Sequence, residues 1–168
     1  MKYRSTRDNN IIKDDKIALL QGLSEDGGLF VLENLSDKKI NLENLIDKSY
    51  TEIAFEVLKL FFSFDENKLK SVIEKAYSKF STSKVTPLVE LKNTHVLELF
   101  HGPTSAFKDV ALTLLPYLIQ LALEGTEQEI LILTATSGDT GKAALEGFKD
   151  VKQTEIIVFN LTDRKSVV

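Results

Sequence analysis

The chain has 168 residues, 43% of them apolar, enough to bury one substantial core with a smaller companion. Its 21 basic and 25 acidic residues leave a net charge of -4 with the two signs interspersed, so no basic stripe offers itself to nucleic acid. Cysteine is missing, which excludes disulfides, thiolate metal sites and thiol nucleophiles. The opening "MKYRSTRDNN" lacks the apolar stretch of a leader peptide. The longest apolar run, Val110 to Leu123, is broken by Thr113, Pro116, Tyr117 and Gln120 well short of a ~20-residue membrane span. A cytoplasmic protein with no membrane partner is expected.

Helix signals dominate the first part. Asp14 and Asp15 are candidate N-caps for "DKIALLQGL", Gly22 is placed to end that helix, and "SEDGGLFV" reads as a turn entering a short apolar strand. "SYTEIAFEVLKLFF" puts Ile53, Ala54, Val57, Leu58 and Phe61 on one helical face, and "DENKLKSVIEKAYSKF" does the same with Leu69, Val72, Ile73 and Ala76. The two predict a packed helical pair.

After "STSKVTP" the texture changes, and a boundary falls near 81–87, giving a helical domain over 1–85 and a second domain over 86–168. Strands are predicted at Thr94–Phe100, Glu129–Thr136 and Glu155–Asn160, with helices over Phe107–Glu124 and Thr140–Lys149 between them. Strand and helix alternating, with continuously apolar strands, predict an α/β fold: a helix-rich N-terminal domain, then the start of a parallel sheet with helices on both faces. Natural sheets average ~5–6 strands, so about three suggest a piece of something larger.

Ligands of open α/β sheets bind beyond the carboxyl ends of the strands. Two polar, glycine-containing loops are expected on that edge, "HGPTSAFKD" and "TATSGDTGKA". The second offers Gly138 and Gly141, the hydroxyls of Ser137 and Thr140, and a helix N-terminus suited to an anion. Gly141-Lys142 superficially suggests a nucleotide loop, but that pattern needs glycine in place of Thr136 and a hydroxyl in place of Ala143. Ordinary capping by Ser137, Asp139 or Thr140 is the plainer alternative.

The first loop carries Lys108 at the opening turn of an apolar helix, where the dipole disfavours a cation by several tenths of a kcal/mol. Either Lys108 extends to solvent and pairs with Asp109 or Glu98, or its amine is held partly desolvated for Schiff-base chemistry with an aldehyde such as pyridoxal phosphate. Spacing alone leaves both open. His101 follows the strand and could touch a ligand or stabilise the turn. His95 reads as structural, and two histidines without cysteine or clustered carboxylates make no metal site.

"ELFHGPTSAFKD" (98–109 with its flank), "ATSGDTGKAA" (135–144), "YRSTRD" (3–8) and "LSEDGGLFV" (23–31) together resemble the threonine synthase family, over residues 1 to about 160. The resemblance implies a fold-type II pyridoxal-phosphate enzyme, a lyase of threonine biosynthesis converting O-phosphohomoserine and water to threonine and phosphate. It implies Lys108 as the catalytic Schiff-base lysine, with Phe107 and Asp139 toward the cofactor. Ser137, Gly138, Thr140 and Gly141 would hold the substrate, while Asp139 orients the loop or cofactor rather than meeting the substrate carboxylate.

The chain stops before the family's glycine-rich cofactor-phosphate loop and before the residue facing the pyridine nitrogen. An N-terminal fragment, inactive by itself and prone to self-association, is therefore expected. Two alternatives stand beside this reading: another fold-type II lyase or dehydratase acting on serine or threonine, and a non-catalytic scaffold homologue. The "FHGPT" turn argues against the first and retention of Lys108 against the second.

Overall fold

A computed structural model of the chain describes residues 1–136 and 138–159. They fall into two compact units that divide between Ile73 and Glu74.

The first unit opens with β1 (Lys2–Ser5) and β2 (Ile12–Asp14), then α1 (Asp15–Gln21) and β3 (Phe30–Leu32). The three strands make an antiparallel sheet in the order β2-β1-β3. Neither β1 nor β2 was legible as a strand. Helix α1 is bounded as its residues predict: the Asp14 side chain accepts from the Ile17 N–H, and Gly22 at φ 74 closes the other end.

The "SEDGG" turn is tied to β1 through Asp26. Its carboxylate accepts from the Ser5 hydroxyl at 2.9 and 2.8 Å and from the Gly28 N–H at 2.8 Å. The Gly28 N–H foremost holds the Asp26 carboxyl below its ordinary value. Gly28 has no alternative, since a Cβ there would lie 2.2 Å from the Ser5 hydroxyl.

Helix α2 (Tyr50–Leu58) begins with a reciprocal capping box between Ser49 and Glu52. Helix α3 (Glu66–Tyr77) follows, and Lys70 on it lies 4.5 Å above the Phe55 ring of α2. Asp15 is buried and accepts from the Ser63 N–H, from the Ser63 hydroxyl at 2.7 Å and from the Met1 amino group at 3.1 Å. Burial opposes its ionisation, but these donors prevail and hold it below the usual carboxylate range. Tyr3, bonded to the Phe61 carbonyl, is pushed up to about 12 by burial and by Asp15.

In the second unit the predicted strand at Thr94–Phe100 takes a different partner from the one expected. Strands β4 (Leu88–Leu91) and β5 (Thr94–Leu97) form a separate antiparallel hairpin around Lys92, which sits at φ 53. The parallel sheet of the described residues is β6 (Ile130–Ala135) beside β7 (Thr154–Phe159), joined through α6 (Asp139–Phe148). Between hairpin and sheet run α4 (Asp109–Leu112) and α5 (Leu115–Leu123), one predicted helix delivered as two with Pro116 at the start of the second.

The α/β class is thus the one expected, with a helix crossing between parallel strands. The sheet is covered on one side: Ile130, Ile132, Ile156 and Val158 are half-buried, while Leu131, Leu133, Ile157 and Phe159 stand exposed. Helices α4 and α6 meet closely where Gly147 passes the Leu112 carbonyl. Among the described residues no helix is long and apolar enough to cross a membrane.

Candidate active site

The loop from 98 to 109 is built by two sets of hydrogen bonds. At its start, Ser81 donates its N–H to the His101 carbonyl at 2.9 Å, and its hydroxyl lies 3.2 Å from His101 Nδ1. The other ring nitrogen, Nε2, is 2.7 Å from a Glu98 carboxylate oxygen. His101 thus fastens the turn, the structural of the two roles its position allowed.

At the far end, Thr104 donates its N–H to one Asp109 oxygen at 2.8 Å and its hydroxyl to the other at 2.7 Å. Asp109 is only 1% exposed. A Cβ on Gly102 would meet the Asp109 side chain at 2.4 Å, so this turn requires glycine. The loop then passes through Ser105 at φ 60 and enters α4 with Lys108 as the residue before its first turn.

Lys108 is half-buried, and its Nζ lies 4.2 Å from the centroid of the exposed Phe107 ring. Among the described residues it makes no ion pair. Both carboxylates that could have taken it are engaged elsewhere, Asp109 by Thr104 and Glu98 by His101. The pairing of Lys108 with Asp109 or Glu98 is therefore not made among the described residues.

The second loop feeds α6. Gly138, which has no side chain, is the N-cap residue, and among the described residues neither Asp139 nor Thr140 caps the helix. The Gly138 N–H itself donates to the Thr136 hydroxyl oxygen at 3.3 Å. Gly141 packs so near Thr136 and Val158 that a Cβ would come within 2.5 Å of the threonine methyl. Thr136, Gly138, Asp139, Gly141 and Lys142, with Leu145 and Val158, surround a hollow of about 350 Å³. Thr140 and Lys108 do not line it, and Ser137 lies outside the described residues.

Sequence reasoning singled out Lys108 and both loops but passed over Thr104, Ser81 and the engaged state of Asp109. A threonine four residues before the lysine and an aspartate after it were the available signal.

Residues 2–77 match the family model described as the threonine synthase N terminus. The chain is 40% identical to the threonine synthase of Pseudomonas aeruginosa, an alignment taking in 100% of this chain and 37% of that protein. It is 37% identical to the threonine synthase of Saccharomyces cerevisiae over 99% of this chain and 36% of that one. Among solved structures, a PLP-bound threonine synthase from Brucella melitensis superposes with a TM-score of 0.88 at 39% identity, covering 94% of this chain and 35% of that one. The yeast threonine synthase structure gives a TM-score of 0.87 at 35% identity, covering 97% and 36%. The chain spans a little over a third of the length of the curated relatives it matches.

Proposed function

The chain belongs to the threonine synthase family, and from that premise we propose that the whole protein is a lyase of threonine biosynthesis. It converts O-phosphohomoserine and water to threonine and phosphate, with pyridoxal 5'-phosphate as cofactor. The observation that carries this reading is the Lys108 amine, half-buried at the head of α4 and free of any ion pair among the described residues.

The residues present fit such a cofactor and substrate. An aldehyde needs an amine that no carboxylate has claimed, and an amino-acid carboxylate is favoured by the N–H groups and positive dipole end of a helix N-terminus. Lys108 supplies the first and the head of α6 the second. Pyridoxal phosphate, when bound, supplies an electron sink for charge developing on the substrate's amino-bearing carbon.

The chain's own residues do the rest. Lys108 holds the cofactor, and its amine, once released, takes and returns protons at the substrate's α and β carbons. Phe107 gives an apolar surface beside the amine. Gly138 and Gly141 let the backbone approach the substrate closely, Ser137 and Thr140 add hydroxyls, and Asp139 orients loop or cofactor.

The same proposal takes 1–85 as an N-terminal domain and 86–168 as part of the cofactor domain, in a cytoplasmic protein. By itself this chain is inactive and self-associates. Incubating the whole protein with O-phosphohomoserine and following phosphate release tests the activity. Phosphate and threonine appearing in equal amounts support the reading; release of ammonia from serine or threonine instead would replace it with a dehydratase.

A further inference from the structure

We infer that Thr104 is a positioning residue for Lys108, acting by keeping the neighbouring Asp109 carboxylate out of the amine's reach. The inference rests on the reading of Lys108 as the cofactor lysine, and it concerns how an amine next to a carboxylate in the chain stays unpaired.

Asp109 follows Lys108 directly and is almost wholly buried. A buried carboxylate needs donors, and the flexible ammonium next to it in sequence is one candidate. The loop supplies two others from a single residue. The Thr104 N–H and hydroxyl reach one Asp109 oxygen each, at 2.8 and 2.7 Å, so both oxygens are claimed by the turn. Charge-assisted bonds of this length are among the stronger ones a protein makes.

Two further features serve the same arrangement. Gly102 leaves the room in which the Asp109 side chain sits, since a Cβ there would lie 2.5 Å from Oδ2. Ser105 adopts φ 60, a left-handed conformation that a non-glycine residue holds only when its surroundings fix it. Turn, glycine and strained serine together aim Thr104 at Asp109. The Lys108 Nζ is left 4.2 Å over the Phe107 ring, a contact that attracts a cation without claiming its lone pair once deprotonated.

The test reads the amine directly, without cofactor. The full chain is acetylated with a trace of acetic anhydride, and the rate at Lys108 is compared by mass spectrometry with the rate at exposed Lys142. An amine held in an ion pair acylates slowly. Thr104→Val removes the hydroxyl donor and is expected to slow acetylation of Lys108 by about fivefold, the scale of one ion pair, with Lys142 unchanged. Thr104→Ser is expected to keep the wild-type rate. Adding Asp109→Asn to Thr104→Val is expected to restore it, because the released group no longer carries charge, a rescue that a merely structural role would not produce.

A wild-type rate in Thr104→Val, or a double variant as slow as the single, overturns the inference. Should Thr104→Val fail to fold, Asp109→Asn alone decides: it keeps an oxygen for Thr104 and is expected to stay within about twofold of wild type, whereas a marked fall means the carboxylate supports the amine. Failure of the functional reading looks different. Lys108 would acetylate as described yet take no pyridoxal phosphate on borohydride reduction.

Discussion

Gly147 of α6 lies against the backbone carbonyl of Leu112 in α4, so near that a Cβ on the glycine would stand 2.1 Å from that oxygen. Two effects of opposite sign meet there. Alanine is the better helix former by ~1 kcal/mol, which favours Gly147→Ala. The clash is with backbone, which cannot turn aside, and overpacking of this kind costs about 1–3 kcal/mol. The second wins. Gly147→Ala is expected to lower the urea midpoint and, because α4 carries Lys108 at its head, to weaken cofactor retention as well. An unchanged or raised midpoint would show that α4 and α6 separate without cost.

Borohydride reduction of the whole protein with pyridoxal phosphate is expected to fix the label on Lys108. The competing site is Lys142, which is exposed and lines the hollow at α6. Peptide mapping separates the two, and a label recovered on Lys142 sinks the assignment.

How far this site was legible is uneven, and the unevenness has physical causes. The lysine, the two loops, the caps of α1 and the parallel pair β6–β7 all follow from local residue chemistry, which sequence displays. The hairpin did not. Its turn, Lys92-Asn93, lacks the glycine that ordinarily marks a two-residue connection, so the sequence shows a strand at Thr94–Phe100 but not its partner at Leu88–Leu91. Strand β1, "KYRS", is too short and too polar to announce itself, and it exists because β2 and β3 flank it. Least visible was the engagement of Asp109. Composition places a carboxylate beside Lys108, but only the fold of the 101–109 turn says that Thr104 has already taken it.

Thr140→Ala, and Ser137→Ala beside it, are expected to weaken amino-acid binding more than cofactor binding in the whole protein. A hydrogen bond to a charged group is worth about 1.5–3 kcal/mol, or roughly 10- to 150-fold in affinity. Gly138 is the N-cap residue of α6, and among the described residues the Thr140 hydroxyl makes no cap there, so Thr140→Ala should leave the helix start intact. Titrating substrate and cofactor separately distinguishes the outcomes. Equal loss of cofactor with unchanged substrate affinity would assign this loop to the other ligand.

Asp15 sets a pH dependence in the first unit. Its carboxyl is held below the unfolded value by Ser63 and the Met1 amino group in spite of burial. A depressed folded pKa contributes stability that is fully present above the unfolded value of ~3.9 and disappears as pH falls through the folded one. Unfolding free energy is therefore expected to fall between about pH 5 and pH 2, and Asp15→Asn to flatten that fall while lowering stability at neutral pH. Denaturation series at several pH values give both slopes. Identical slopes would mean that other carboxylates, such as Asp26, carry the dependence.

The 168-residue chain by itself is expected to associate with its own kind, hold pyridoxal phosphate weakly and turn over no O-phosphohomoserine. One face of the β6–β7 sheet leaves Leu131 51%, Leu133 62%, Ile157 46% and Phe159 57% exposed. Burying one large apolar side chain from full exposure contributes about 1.5–3 kcal/mol, and these four begin roughly half exposed. Two facing copies would gain on the order of 6–12 kcal/mol, against an association cost of about 4–15 kcal/mol. The two are of one size, so association should be weak and concentration-dependent rather than a tight dimer. Sedimentation velocity across the micromolar range is expected to show a rising average mass, and Leu133→Lys with Phe159→Lys to abolish the rise without unfolding the chain, since both side chains are already in water. An imine at Lys108 gains little over one at any other lysine unless the cofactor's phosphate and ring nitrogen are also held, so retention on gel filtration should be poor. A monodisperse monomer that binds pyridoxal phosphate stoichiometrically and releases phosphate from O-phosphohomoserine would contradict each part of this expectation.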